Sequence, residues 1–265
     1  MVRTAAELFD LRGRAAFVTG AGRGIGREIA LTMATNGAAV AVNDVRPEQA
    51  EQVVEEIERD GGRAVAAVAD VTRYRQVAAV FAQAAAELGP IDILVNNAGN
   101  AGARRTLADR RPFWETGPED WRDYIDVNLY GLLNTTRAAW QDLSRSGHGR
   151  IILIGSDAGR VGEPALAVYS AAKAAAAGFI RAIARAGGRY GVTANCISLG
   201  VVDTDAASFL LDEPEQLRRT LDRYAIRRVG RPADAATFAL YLASGAADWV
   251  TAQTLPVNGG YSSCL

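Results

Sequence analysis

Ala15-Ala16-Phe17-Val18-Thr19-Gly20-Ala21-Gly22-Arg23-Gly24-Ile25-Gly26 is the stretch that decides the fold. Ala15 to Thr19 form a short apolar run, as a strand buried on both faces requires, and Ile25, Ile29 and Met33 then recur at helical steps. Between strand and helix the glycines alternate with other residues. A tight turn there needs positive φ, bare backbone N–H groups and close packing of helix on strand, and glycine supplies all of these. Bare N–H groups at a helix N-terminus attract phosphate. The stretch predicts a βα unit with a phosphate seat at Gly20, Arg23, Gly24, Ile25 and Gly26.

The same alternation continues outward. Strands are expected at 15–19, 38–43, 64–68, 91–96, 151–155, 193–198 and 254–257. Helix faces lie between them, as at Val77, Val80, Phe81, Ala84 and Leu88, and Pro47, Thr72, Pro118, Pro214 and Pro232 mark helix starts. No repeat or linker interrupts the series. Residues 1–265 therefore read as a single doubly wound α/β domain of the Rossmann type, a parallel sheet of about seven strands flanked by helices. Ligands bind such a sheet at the carboxyl ends of its strands.

Composition bounds the function. Of 265 residues 49% are hydrophobic, enough for a substantial core, and 29 basic against 30 acidic side chains leave a formal charge of −1. Dispersed, balanced charge lacks the footprint of a nucleic-acid binder or of a protein held on an anionic membrane, so neither partner is expected. Residues 1–10 carry Arg3, Glu7 and Asp10 without an apolar stretch, and no run approaches eighteen uninterrupted apolar residues; a cytoplasmic location is expected. Cys196 and Cys264 stand far apart and His148 is the only imidazole, so a zinc site of ordinary spacing cannot be built and no metal is expected. His148, between two glycines before a strand, reads as a solvated loop residue rather than a hydrolase base. Chemistry is left to Tyr, Lys, Ser, Asn, carboxylates or a bound cofactor.

The second strand ends in Asn43-Asp44, eighteen residues beyond Gly26, where a carboxylate meets the adenosine ribose of a dinucleotide. A carboxylate accepts both ribose hydroxyls and repels a 2′-phosphate, so Asp44 favours NAD(H) over NADP(H). Arg23 and Arg46 flank the same place and could pair with a 2′-phosphate, which keeps NADP(H) open. Asp70-Val71, at the end of the third strand, offers an acceptor and an apolar side chain to an adenine ring; an aspartate that opens a helix explains the same residues.

Tyr169-Ser170-Ala171-Ala172-Lys173 opens an alanine-rich helical stretch whose i, i+4 spacing sets phenol and ammonium on one face. Positive charge favours the phenolate, so such a tyrosine can give or take a proton near neutrality. Ser156, at the end of the fifth strand, is placed to point its hydroxyl into the cleft. With Asn96-Asn97-Ala98-Gly99, Asn128 and the thirteen-residue step from Ser156 to Tyr169, the chain resembles the short-chain dehydrogenases/reductases in their compact form, over about residues 13–261. The resemblance implies interconversion of a secondary alcohol and a ketone by hydride transfer. Tyr169 then exchanges the proton on the substrate oxygen, Lys173 holds the nicotinamide ribose and lowers the tyrosine pKa, and Ser156 hydrogen-bonds the carbonyl. Asn128 is similar to the residue anchoring a water between lysine and solvent, Asn97 to the one whose backbone borders the adenosine ribose, and Val202 and Thr204 to those that bind the carboxamide. Where the family usually has Pro-Gly after the sixth strand this chain has Leu199-Gly200, so that loop is expected to sit differently or move more.

Residues 149–156, 228–232 and 257–261 resemble the 3-oxoacyl thioester reductases of that family, implying a 3-oxoacyl or 3-hydroxyacyl thioester. Members acting on sugars, steroids and cyclic alcohols share these stretches, so a cyclic, polyketide-type or sugar alcohol is the alternative. Arg104, Arg105, Arg110 and Arg111, with Asp109 among them, either meet an anionic substrate tail or form a solvated loop. Residues 203–228 resemble the family's substrate lid, with Phe209, Leu210 and Leu211 as an apolar cover and Arg218, Arg219 and Arg223 behind them. Trp121, Tyr124, Leu132, Ala171, Ala172 and Ala175 belong to helices that pair between subunits in the family, which implies a homotetramer or a dimer. A nucleotide-binding protein with little chemistry would keep the fold, yet it has no need of Ser156, Tyr169, Lys173 and Asn128 together.

Overall fold

The computed structural model describes residues 4–101, 111–207, 211 and 213–263. Strands β1 (Ala15–Thr19), β2 (Ala39–Asn43), β3 (Arg63–Ala66), β4 (Ile93–Asn96), β5 (Arg150–Ser156), β6 (Thr193–Leu199) and β7 (Thr254–Val257) form one parallel sheet in the order β3-β2-β1-β4-β5-β6-β7. Helices α1 (Ala5–Phe9), α2 (Gly24–Thr35), α3 (Pro47–Arg59), α4 (Tyr74–Leu88), α5 (Pro118–Ile125), α6 (Gly131–Ser146), α7 (Ala158–Val161), α8 (Ala167–Gly187), α9 (Pro214–Leu221) and α10 (Pro232–Ala243) surround it. The winding reverses between β1 and β4, the switch point where a doubly wound sheet opens a crevice at its carboxyl edge.

Burial on both faces explains why the strands read as unbroken apolar runs. Ala16 and Val18 of β1 join Val40, Val42, Ile93 and Val95 in one core, closed by residues of α2, α3 and α10 such as Met33, Ile57 and Leu240. Ala15 and Phe17 turn the other way, with Leu94, Ile151 and Leu153, onto α4, α6 and α8; Phe17 stacks on Phe81 at 4.8 Å. Pro47, Pro118, Pro214 and Pro232 all open helices, where the missing N–H has no intrahelical partner to lose.

The structure corrects the sequence reading in places. β3 stops at Ala66, so Asp70 and Val71 lie in the connection beyond it rather than closing the strand. Asp70 Oδ1 accepts from the Thr72 N–H at 2.9 Å and the Thr72 hydroxyl at 2.7 Å, and α4 begins two residues later than Thr72, after Arg73. His148 stays exposed in the bend before β5, as expected, and there its Nε2 lies 3.0 Å from Asp92, which also pairs with Arg14 at 2.5 Å, at the amino edge of the sheet, opposite the crevice. Within Pro164–Tyr190 an 18-residue window reaches a mean hydropathy of 1.3, long and apolar enough for a membrane span by composition alone, yet α8 packs Ala176, Ile180 and Ala184 onto the sheet. Arg104, Arg105, Asp109 and Arg110 lie outside the described residues.

Candidate active site

The carboxyl edge holds a cleft of about 1260 Å³ that runs from the glycine loop past Ser156 and Tyr169 to α9. Its first wall is the β1–α2 turn. Gly20 and Gly24 have φ of +59° and +53°, which a side chain would strain. A Cβ on Gly26 would lie 2.2 Å from the Gly20 carbonyl oxygen and 2.4 Å from Asn97 Nδ2. No side chain caps the N–H groups that open α2, so the helix start faces the cleft as an anion seat. Asn97 serves the loop with its side chain, Nδ2 donating to the Thr19 and Gly20 carbonyls at 2.9 Å each.

Asp44, 9% exposed, closes this wall at the end of β2. Its Oδ2 accepts from the Gly22 N–H and its Oδ1 from the Arg46 N–H, both at 3.1 Å, and a Cβ on Gly22 would stand 2.8 Å from Oδ2. This cradle of glycine backbone and carboxylate fits the pyrophosphate and ribose of a dinucleotide. Arg46 is exposed, and Arg23 reaches Asp205 at 3.4 Å. Val71 and Asp70 also border the cleft; Val71 lies against Gly131, where a Cβ would come within 2.8 Å of it.

In the middle of the cleft, α8 presents Tyr169 and Lys173 one turn apart, the ammonium 5.8 Å from the phenol ring centre. Lys173 is buried and donates to the Ile154 carbonyl at 3.0 Å, leaving donors for the cleft. It is the only lysine in a chain that otherwise carries its positive charge as arginine, a signal readable from composition that the motif search passed over. Arginine's fixed fork cannot replace a compact ammonium here. Ser156 Oγ accepts from the Ala158 N–H at 3.2 Å, so its own proton remains to be donated.

Asn128 lies in a π-helical turn, Asp126–Tyr130, joining α5 to α6; such turns often mark functional positions. Its Nδ2 donates to the Asn100 and Tyr124 carbonyls at 2.8 and 2.9 Å. A Cβ on Gly99 would be 3.0 Å from Asn128 Oδ1 and 3.3 Å from Lys173 Nζ, so both polar atoms flank this bare residue.

A family model described as enoyl-(acyl carrier protein) reductase matches residues 20–262. The 7α-hydroxysteroid dehydrogenase of Escherichia coli K12 is 37% identical over 250 residues, covering 94% of either chain. The 3-oxoacyl-(acyl-carrier-protein) reductase FabG of Staphylococcus aureus is 38% identical over 93% of this chain and 97% of its own. The chain belongs to the short-chain dehydrogenase/reductase family. The chemistry is the family's, NAD(P)-dependent interconversion of an alcohol and a ketone. Among solved structures, a 7α-hydroxysteroid dehydrogenase complexed with NADH and 7-oxo glycochenodeoxycholic acid superposes with a TM-score of 0.90 at 36% identity, covering 98% of both chains. A gluconate 5-dehydrogenase from Burkholderia cenocepacia, in complex with NADP and tartrate, gives 0.92 at 35%, covering 99% of this chain and all of its own.

Within this short-chain dehydrogenase/reductase the loop after β6 is tied down despite Leu199. That residue is buried in the strand, paired in register with Ser156 and Val257. Beyond it the Val201 N–H donates to the Tyr224 hydroxyl at 2.9 Å, the Asp203 N–H to the Gly230 carbonyl at 2.8 Å, and Val202 bridges Gly230. Tyr224 therefore restrains the loop by a hydrogen bond two residues beyond Leu199. Thr204 leans over Gly24, its Cγ2 3.4 Å from where a Cβ there would be.

The expected apolar lid is only partly described: Phe209 and Leu210 lie outside the described residues, and α9 lends the cleft the polar Gln216 and Thr220, followed by Arg223. Arg111 is bound to Asp120 at 2.6 Å and to the Glu115 carbonyl. Of the residues expected to pair between subunits, Leu132 and Ala172 are buried within this chain and Tyr124 sits edge-on to Tyr169 at 6.5 Å, while Ala171 and Ala175 are exposed.

Asp157, Glu163 and Tyr224 were not singled out from the sequence. Asp157 is 2% exposed, and its carboxylate accepts from Arg160 at 3.0 Å, Ser198 at 2.7 Å, Asn258 at 2.5 Å and Ser262 at 2.9 Å, welding the end of β5 to the C-terminal segment. That segment sets Tyr261 in the cleft, where burial first, then the charge of the Glu163 carboxylate, raise the pKa of its phenol.

Proposed function

We propose that the chain is an NAD-preferring dehydrogenase/reductase of secondary alcohols and ketones, with Tyr169 as its acid/base. The observation that carries this reading is one cleft shared by the glycine loop, Asp44, Ser156, Tyr169 and Lys173. Bound there, a nicotinamide dinucleotide supplies or accepts the hydride. Ser156, with its proton free, hydrogen-bonds the substrate oxygen, and Tyr169 gives that oxygen a proton in reduction or takes one in oxidation. Lys173 favours the phenolate by charge and offers its remaining donors to the nicotinamide ribose. Gly99, flanked by Lys173 Nζ and Asn128 Oδ1, marks the start of a proton path toward solvent. Val202, bridged to Gly230, and Thr204, whose hydroxyl donates to the Val202 carbonyl at 3.4 Å, suit the carboxamide.

The buried Asp44 carboxylate supports NAD(H), since a 2′-phosphate beside it would be repelled. NADP(H) use would require Arg23 and Arg46 to outweigh it. A 3-oxoacyl or 3-hydroxyacyl thioester is the first substrate class to try, supported by the likeness to the S. aureus reductase; the steroid and gluconate enzymes make a cyclic or sugar alcohol the second. A homotetramer or dimer is supported by the exposed alanines of α8, which permit close helix approach, and a cytoplasmic location by balanced, dispersed charge.

The test is a titration of wild type, Tyr169→Phe and Asp44→Ala with NADH and NADPH, following energy transfer from tryptophan, beside steady-state turnover of the candidate alcohols. Wild type binds NADH the more tightly, Asp44→Ala narrows that preference, and Tyr169→Phe binds as wild type does while turnover falls by about a thousandfold or more. Full turnover in Tyr169→Phe would remove the mechanism, and tighter NADPH binding by wild type would reverse the cofactor assignment.

A further inference from the structure

The far end of the cleft, away from the glycine loop, has a charge arrangement that the hydride chemistry does not use. Arg223 lies just past α9 with its guanidinium 4.6 Å over the ring of Tyr261. Stacking uses the flat face of the group and leaves its edge of N–H donors open. Those donors have no hydrogen-bond or carboxylate partner among the described residues, although Arg219, Arg227 and Arg228 nearby pair with Glu215, Asp222 and Asp234. Arg223 also borders the same cleft as Ser156 and Tyr169.

The acidic groups near it do not pair with it among the described residues. Glu163 stands close enough to Tyr261 to raise the pKa of its phenol yet forms no ion pair with Arg223, and Asp157 is surrounded by the donors of Arg160, Ser198, Asn258 and Ser262. Tyr261 in turn packs against Tyr224, whose ring centre is 5.1 Å away, so the platform under Arg223 has a second ring behind it. A guanidinium held over a ring and lining a cleft is preorganised for a planar, bidentate acceptor. One cation with Glu163 close by suits a single negative charge; a phosphate dianion would meet that carboxylate, and among the described residues Arg223 is the cation that lines this end of the cleft without a carboxylate partner.

Resting on the reading of this cleft as the alcohol/ketone site, we propose that Arg223 on its Tyr261 platform is a specificity-determining anion receptor, and that the substrate is a hydroxy or oxo acid whose carboxylate it holds. Gln216 and Thr220, one turn apart on α9 and facing the same cleft, donate to the remaining lone pairs of that carboxylate.

The experiment uses straight-chain oxo acids of increasing length, each paired with its methyl ester. Binding is measured by calorimetry on the Tyr169→Phe protein loaded with NADH, with and without Arg223→Gln, and turnover is followed with wild type and Arg223→Gln alone. At the length that spans Tyr169 and Arg223 the acid binds about tenfold or more tightly than its ester, and Arg223→Gln removes that advantage. In turnover the change raises KM for the acid by a similar factor and leaves kcat, and both constants for the ester, within about twofold. Arg223→Lys restores part of the preference, because charge survives while the fork is lost. Equal binding of acid and ester, a preference that persists in Arg223→Gln, or no binding of either at any length overturns the proposal. Acid-selective binding without turnover in wild type would leave the receptor standing and remove the alcohol/ketone reading instead.

Discussion

Gly26 shows how one missing side chain shapes the site. The carbonyl of Gly20 and the amide of Asn97 occupy the space a Cβ would need, at 2.2 and 2.4 Å, and the first of these is backbone that cannot swing away. Gly26→Ala is therefore expected to push α2 off β1, costing about 1–3 kcal/mol of stability. It should also weaken dinucleotide binding far more than that figure suggests, because the phosphate seat is the helix start itself. Thermal melts with and without NADH check this; a variant that keeps both its Tm and its NADH-induced rise would show that the turn accommodates a methyl group. The gathering of Gly26, Asp44, Tyr169 and Lys173 around one cleft was legible in the sequence because it depends on spacing along one turn, one helix or one βα unit. Asp157 was not: its partners Ser198, Asn258 and Ser262 lie 41, 101 and 105 positions away, and an aspartate at a strand end is too common to stand out. Lys173 carried a second signal, its being the only lysine, that spacing alone does not reveal.

Among the elements, α10 shows what a proline start does not explain. Pro232 sets the first φ, but the turn before it is held by Asp234, which accepts from the Arg231 N–H at 2.7 Å and from both terminal nitrogens of Arg228 at 2.7 and 2.9 Å. The Arg228 guanidinium first, then the Arg231 N–H, push the carboxyl down to about 2 from an ordinary 3.8. A pKa lower in the folded than in the unfolded chain stabilises the fold above the ordinary value, and that stabilisation is lost as pH falls through about 2. Asp234→Ala should cost about 1 kcal/mol near neutrality, the ion pair being partly exposed and screened, with a Tm lower by roughly 2–4 °C. The gap between variant and wild type should close in acid; a gap independent of pH would assign the effect to helix propensity. The helix starts at proline were readable from the sequence, whereas the π-helical turn carrying Asn128 was not, because an inserted residue in a helix leaves no mark in the apolar period.

For the molecule as a whole, the seven-stranded order places β6 between β5 and the edge strand β7, whose residues are only partly covered. The count and alternation of strands were readable because the inner strands β1, β2, β4, β5 and β6 are buried on both faces; their spatial order came from the rules of parallel winding rather than from any residue. The loops that build the far end of the cleft follow no period, which is why Glu163 and Tyr224 emerged only in three dimensions. Cys196, in the middle of β6, reports on how firmly this edge holds. It is 2% exposed, its N–H donates to the Gln253 carbonyl at 2.9 Å, and burial pushes its thiol up to about 11. A protonated, enclosed thiol does not react, so labelling requires the strand to open. In a Cys264→Ser protein, iodoacetamide at pH 8 should leave Cys196 unmodified for as long as the fold persists, and the extent of labelling through a urea titration should follow the loss of tryptophan fluorescence. NADH should move both transitions together to higher urea if, as proposed, it binds loops that leave β1, β2 and β6. Labelling well below the global transition would mean that β7 separates from β6 first; the C-terminal segment bearing Tyr261 would then come away with it, and the substrate end of the cleft would be less stable than the nucleotide end.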